Sequence, residues 1–452
     1  MVAGARLALD AGWEVRGSDN PLYPPTFDMV RALGVPVMEG YAAANLDWDP
    51  DVVIIGNALS RGNPEVEAAL TRRVRYMSLP EWLKDNVLRA RRPVAVCGTH
   101  GKTTTTALLA HLLRTAGMDA GYLIGGQPLG FQHSARLGGT GQPFVIEGDE
   151  YDTAFFDKRA KFLHYIPEIA VVTSIEFDHG DIYRDLAEIE LAFQRMLRQI
   201  PEEGWLVTCA DNPAARLKEH AFSQVVTYGL HAGADIHGEL LPGGTLRVYR
   251  DGAAWLELAS PLSGEHNARN LLAAVTVADL LGAEEAAIRH GAASFPGVKR
   301  RMEVFLETGG VTYVDDFAHH PTAIRETIAA ARIRWPEARL RVLFEPRSNT
   351  TVTRAFQGAL LDAFSGCDEA HIGPIHRVER IPESERLDRV RLAADLCGRG
   401  VVGHAADDPA ALAERIVATG RPGDVVLILS NGAFGGIYGH LRALHGATDH
   451  PE

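Results

Sequence analysis

The sequence predicts an α/β protein built on parallel sheets, and three observations carry that prediction. Apolar runs of strand length, among them "DVVIIGNA", "PFVIEGDE", "EIAVVTSIEFDH" and "DVVLILSNGAFGG", alternate with helical patterns. Each run ends in polar or acidic residues, and open parallel sheets bind ligands at those carboxyl ends. The stretch "VAVCGTHGKTTTTALLAHLL", residues 94–113, is a strand, a glycine loop and a helix in succession, the arrangement that holds phosphate.

From the N-terminus, "AGWEVRGSD" closes a helix and gives a strand ending at Ser18 and Asp19. "DVVIIGNA" is a buried strand running up to Asn57, and "NPEVEAALTRR" is a helix. The charged, proline-terminated run "LRARRP" reads as a linker and sets the first boundary, giving a domain over residues 1–92. The next domain, 93–300, continues the alternation and then turns antiparallel in "TLRVYRDGAAWLEL", where Asp-Gly marks a hairpin. A second boundary falls near "PGVKRRMEVF". In the last domain, 301–452, "GVTYVDDFAHHP", "RLRVLFEPRSN" and "DVVLILSNGAFGG" are strands with helices between them. A chain of 452 residues exceeds one ordinary core, which agrees with several domains.

Composition excludes several classes of function. Apolar residues make up 46% and charged residues 23%, as in soluble globular proteins. No apolar run reaches the ~18 residues of a membrane span, and no secretory signal opens the chain. A formal charge of −13 argues against nucleic acid as a partner. Anionic ligands must then be held by helix N-termini and a few Lys or Arg. Cys97, Cys209, Cys367 and Cys397 match no metal spacing and read as thiols in a reducing cytoplasm.

The run Gly98-Thr99-His100-Gly101-Lys102-Thr103 is a shortened phosphate loop. Its glycines let successive N–H groups face one anion, Lys102 can reach the β- and γ-phosphates, and the Thr103 hydroxyl can join a Mg²⁺ shell. "VIEGDEYD" presents Glu147, Asp149 and Glu150 after a strand, and "SIEFDHGD" presents Glu176, Asp178 and His179 after another. Acidic strand ends beside a phosphate loop suit two metal ions, with helix capping the lesser alternative for any single residue.

"GTHGKTTT", "EGDEYD", "EFDHGDIY", "GEHNARN", "KRRME" and "DDFAHHPT" stand in the order found in the ATP-dependent Mur ligases, and the chain resembles that family over essentially its whole length. The resemblance implies three domains: a Rossmann-like UDP-sugar domain, a central ATPase-like domain with the phosphate loop, and a Rossmann-like C-terminal domain. It implies ATP and Mg²⁺, at two sites, as cofactors, and catalysis through Lys102, Glu147, His179 and Arg301. Thr103, Glu147 and His179 would bind metal. Gly98, Thr99, His100, Gly101, Lys102, Thr103 and Thr104 would hold the ATP phosphates, with His266, Asn267 and Asn270 near the adenine or the helix start. Arg301 would reach the phosphates and Asp316 the ribose. His319 and His320 would lie near the nucleotide or the amine, or else simply begin the helix at Pro321. Ser18, Asp19 and Asn57 belong to the UDP-sugar domain. Arg347, Ser348, Asn349, Ser430, Asn431 and Phe434 would line a peptide pocket, with Arg347 pairing a peptide carboxylate or bracing against Glu345.

Within the family, "DHGDIY" and "DDFAHHP" resemble the branch adding L-alanine to UDP-N-acetylmuramate. "DEYDTAFFDKRAKFLHY", "LFEPRSNT" and "LSNGAFGGI" resemble the branch joining a recycled tripeptide, L-alanyl-γ-D-glutamyl-meso-diaminopimelate, to the same acceptor. The implied protein is cytoplasmic and needs no obligate protein partner. Several sister ligases carry a carbamylated lysine after the second acidic motif. No lysine lies between Lys161 and Lys218, which disfavours those branches. Members begin with a strand and a glycine turn that approaches the UDP pyrophosphate. "MVAGARLALDAGWEV" reads as the helix after that turn, so about ten residues of the first strand and turn are expected to be missing. The alternatives are the alanine ligase, a folylpolyglutamate or cyanophycin synthetase, and a non-catalytic nucleotide-binding regulator.

Overall fold

The computed structural model describes residues 1–22, 26–177, 182–241 and 244–447. The chain folds into two compact units. Among the described residues, one comprises 1–22, 26–177, 182–241, 244–261 and 269–296, and the other comprises 262–268 and 297–447.

The first unit opens on helix Val2–Asp10 and carries two parallel strand pairs, Gly17–Asp19 with Val37–Glu39 and Val53–Ile55 with Tyr76–Ser78. Helices begin where the local chemistry directs. Asn63 accepts from the N–H groups of Glu65 and Val66 ahead of Pro64, and Ser78 and Glu81 form a reciprocal capping box. The two pairs belong to separate sheets, and both contribute to the lining of a cavity of about 360 Å³ that Ser18, Asp19, Val53 and Ile55 help to form.

The rest of this unit is a ten-stranded sheet. Strand Arg92–Cys97 lies between Ile169–Val172 and Pro143–Gly148, parallel to both. The expected hairpin is present: Thr245–Arg250 pairs antiparallel with Ala253–Ala259, and Asp251 and Gly252 both take positive φ at the turn. "LRARRP" departs from the linker expected of it. Arg91 donates to the carbonyls of Val87, Leu137 and Gly138, Arg92 pairs with Glu168, and the strand already begins at Arg92.

The second unit is built on six strands, with Val311–Asp316, Val425–Leu429, Leu340–Phe344 and Glu369–Ile372 adjacent and parallel. Alternate residues of the same strands enter opposite cores. Val314, Val342, Phe344 and Leu427 pack on one face, and Tyr313, Leu343, Val426 and Ile428 on the other. A sheet covered on both faces explains why these strands read as unbroken apolar runs. No helix among the described residues is long and apolar enough to cross a membrane. The four cysteines form no disulfide.

Candidate active site

The phosphate loop joins strand Arg92–Cys97 to helix Lys102–Thr115. Gly98 takes a φ of 129°, and a Cβ there would collide with Thr173 Oγ1 and the backbone of Ser174. Gly101, at the helix N-cap, takes a φ of 79° with Asn270 Oδ1 against it. Only glycine satisfies both demands. The neighbouring strand end fixes the rest of the loop. Thr99 N donates to Ser174 O and His100 N to Ser174 Oγ, each at 2.9 Å, and Glu176 N donates to Thr99 Oγ1 at 2.9 Å. The helix start carries no side-chain cap, so its amide dipoles face the loop. Thr104 is buried on the same first turn, and Asn270 accepts from the Thr105 hydroxyl at 3.1 Å.

Glu147 sits opposite Val96 in the sheet register, one strand away from the loop. From there its carboxylate accepts from the Thr103 hydroxyl at 2.8 Å and from Gly125 N at 2.7 Å. Burial, and then the negative charge of Asp149, hold the Glu147 pKa above the ordinary carboxylate value. The carboxylate and the hydroxyl converge as a pair of hard oxygens that fits Mg²⁺, and the charge of a bound cation would favour the ionised carboxylate against burial. His179 and Asp178 lie outside the described residues.

Lys102 is not the solvated side chain that a surface loop would give. Its Nζ donates to Gly98 O at 2.7 Å and to Glu150 Oε2 at 2.8 Å, with the two side chains only 11% and 4% exposed. Burial works against the ammonium, but the charges of Glu150 and Asp149 outweigh it and raise the lysine pKa. Asp149 in turn pairs with Lys161 at 3.0 Å. The sequence exposes both acids but not which base each holds.

In the first segment, Ser18 and Asp19 end a strand, as expected, and Asn57 is exposed just beyond Val53–Ile55. Ser18 donates to Glu65 and accepts from Asn45, and Asp19 accepts from Tyr41 at 3.0 Å. Those three partners come from distant positions and carry no sequence signal of their own.

One expected site in the second unit differs from the sequence reading, and two others carry contacts that the reading did not name. Phe434 does not line a pocket: its side chain is fully buried in the core with Leu343, Ile428 and Ile437. Asp316 is 5% exposed, and its carboxylate accepts from Met302 N, Ala318 N and the Thr327 hydroxyl, which makes it a brace for its own strand end. Of the "KRRME" pair, Arg300 is the one that ties loops together, bonding Asp315 and the carbonyls of Ser430 and Gly432. Arg301 lies 5.2 Å from the Phe317 ring centroid. His320 caps helix Pro321–Arg334 through the Thr322 N–H, and His319 Nδ1 lies 2.9 Å from Phe317 O. Helix Glu265–Leu280 carries His266 and Asn267 on its first turn, with Asn267 donating to Ser263 O.

Three adjacent strand ends of this unit meet around Arg347. Its Nη1 lies 3.4 Å from Glu345 Oε1 and 3.2 Å from His376 Nδ1, and its guanidinium lies over Gly432, where a Cβ would collide with it. Among the described residues its Nε–Nη2 edge carries no hydrogen bond. The buried Glu345 also accepts from the Ser430 hydroxyl, and Asn431 Oδ1 is buried with no partner among the described residues. Ser348 bonds Thr351 within the loop, and Asn349 is exposed.

Residues 1–91 match the Mur ligase family catalytic domain, 96–278 the Mur ligase middle domain, and 300–432 the Mur ligase glutamate ligase domain. The chain belongs to the Mur ligase family. This Mur ligase is 39% identical to the UDP-N-acetylmuramate–L-alanyl-γ-D-glutamyl-meso-2,6-diaminoheptandioate ligase of Escherichia coli (strain K12), over 99% of the chain and 96% of the relative. It is 37% identical to the UDP-N-acetylmuramate–L-alanine ligase of Kineococcus radiotolerans, over 95% of the chain and 90% of the relative. The crystal structure of a murein peptide ligase from Psychrobacter arcticus superposes with a TM-score of 0.73 at 33% identity, covering 99% of this chain and 97% of that one. That of a UDP-N-acetylmuramate-alanine ligase from Thermotoga maritima gives 0.78 at 25% identity, covering 98% and 95%.

Proposed function

We propose that this Mur ligase uses ATP to join L-alanyl-γ-D-glutamyl-meso-diaminopimelate to UDP-N-acetylmuramate in the cytoplasm, as a step of peptidoglycan recycling. The observation that carries the reading is the open edge of Arg347 at three converging strand ends, alongside near-full-length likeness to relatives bearing that activity in their names. A guanidinium edge is a bidentate receptor for a peptide carboxylate, which free alanine would present at a much shorter reach from its amine.

The lactyl carboxylate of the sugar attacks the γ-phosphorus of ATP, releasing ADP and leaving an acyl phosphate. The alanine amine of the peptide then attacks that carbonyl, and the tetrahedral intermediate expels phosphate. The loop amides and Lys102 hold the phosphates, and Lys102 exchanges Glu150 for a phosphate oxygen as ATP arrives. Thr103 and Glu147 would hold Mg²⁺, and His179 is proposed to hold a second ion. Magnesium, when bound, neutralises phosphate charge. Ser18, Asp19 and Asn57 would serve the sugar nucleotide, Arg301 the ATP phosphates, and His266 and Asn267 the adenosine end of ATP.

ADP release measured with UDP-N-acetylmuramate, with and without tripeptide, tests the assignment. Sustained release is expected only with both substrates, and release indifferent to the peptide would contradict it. Arg347→Ala removes a charge-assisted pair of about 1.5–3 kcal/mol, so kcat/KM for the peptide should fall by about one to two decades while ATP affinity stays unchanged. An unchanged peptide kcat/KM would leave Arg347 as a brace for Glu345 alone.

A further inference from the structure

The loop after strand Glu369–Ile372 is zipped onto the loop after Leu340–Phe344. Pairing continues beyond the strands, with Gly373 N donating to Phe344 O at 2.8 Å and His376 N donating to Pro346 O at 3.0 Å. The second of these bonds sets His376 beside the residue that follows Pro346, which is Arg347. The imidazole Nδ1 then stands 3.2 Å from Arg347 Nη1, the same nitrogen that Glu345 Oε1 approaches at 3.4 Å. Two acceptors on Nη1, one for each of its N–H groups, fix the plane of the guanidinium and leave Nε and Nη2 presented elsewhere. Glu345 alone touches Nη1 through one oxygen, so the imidazole supplies the second contact.

We propose that His376 is a positioning residue for the peptide substrate: as a neutral imidazole it accepts from Arg347 Nη1 and, with Glu345, aims the Nε–Nη2 edge at a peptide carboxylate. The inference rests on the reading of Arg347 as a peptide contact and adds a pH-dependent element to it. A neutral imidazole accepts at Nδ1 when its proton is on Nε2; an imidazolium donates from both nitrogens and repels the guanidinium. The charged groups facing His376 are Arg347, Arg377, Glu345 and Glu379. Burial first, and then the charges of Arg347 and Arg377, hold its pKa below the ordinary histidine value, so the accepting form prevails at neutral pH. Peptide binding therefore weakens as pH falls through the histidine titration, and ATP binding does not.

The test compares the acid limb of kcat/KM for the tripeptide in the unmodified enzyme and in His376→Gln, with KM for ATP measured in the same preparations. Glutamine offers a carbonyl acceptor that does not titrate. In the unmodified enzyme peptide KM should rise about tenfold down the acid limb with kcat little changed, whereas His376→Gln should keep a near-flat KM. His376→Ala should show the raised KM at every pH. An acid limb that is identical in the unmodified enzyme and His376→Gln would overturn the role of His376 while leaving Arg347 untouched. If Arg347→Ala leaves peptide KM unchanged, the peptide-site reading itself fails, and the positioning role falls with it.

Discussion

Lys102→Ala is expected to lower ligation by about two to three orders of magnitude at saturating ATP, because the developing phosphoryl charge loses its cation. A second consequence follows from the burial of the lysine. The ammonium compensates the buried carboxylate of Glu150, and breaking such a pair from one side typically costs about 3–5 kcal/mol. The single variant should therefore melt earlier than the parent, and its inactivity alone would be ambiguous. Lys102→Ala combined with Glu150→Gln removes both charges together. This double variant should regain most of the lost thermal stability and stay inactive. Turnover within tenfold of the parent in either variant would contradict the phosphate-loop assignment.

The next largest effect is expected from Glu147→Gln. The amide keeps an oxygen for the Thr103 hydroxyl or the Gly125 N–H but removes the charge that a hard cation needs. The Mg²⁺ concentration for half-maximal rate should rise at least about tenfold, and acyl-phosphate formation should slow with it. Stability should be unchanged or improved, since a buried carboxylate beside Asp149 is replaced by a neutral group. A variant with the parental Mg²⁺ titration and rate would reduce Glu147 to a structural acceptor that tethers Thr103 and Gly125.

Features governed by neighbouring residues were legible in the sequence. The Asp251-Gly252 hairpin needs two consecutive positive φ values, and those residue types supply them. The phosphate loop is likewise local, with Gly98 and Gly101 each in a conformation or a space that excludes a side chain. Features set by long-range partners were not. "LRARRP" reads as a linker because its partners, Glu168 and the carbonyls of Leu137 and Gly138, lie far along the chain. Phe434 sits in a glycine-rich loop, yet a φ of 44° accompanies a side chain turned into the core. Arg300 and Arg301 are adjacent and chemically equal. Only the folded backbone, with Arg300 itself at a φ of 59°, determines which of them braces the Ser430 loop. His376 carries no local signal for the same reason: nothing in "GPIHRVER" announces that its backbone is bonded to Pro346.

Whether the amine substrate is a peptide is measured most directly by competition. Tripeptide and L-alanine are offered to the unmodified enzyme at equal concentration with ATP, Mg²⁺ and UDP-N-acetylmuramate, and kcat/KM is determined for each. The tripeptide is expected to be the better substrate by at least about tenfold, the value of one charge-assisted pair at Arg347. A higher kcat/KM for L-alanine would contradict the assignment and make this Mur ligase an alanine-adding enzyme.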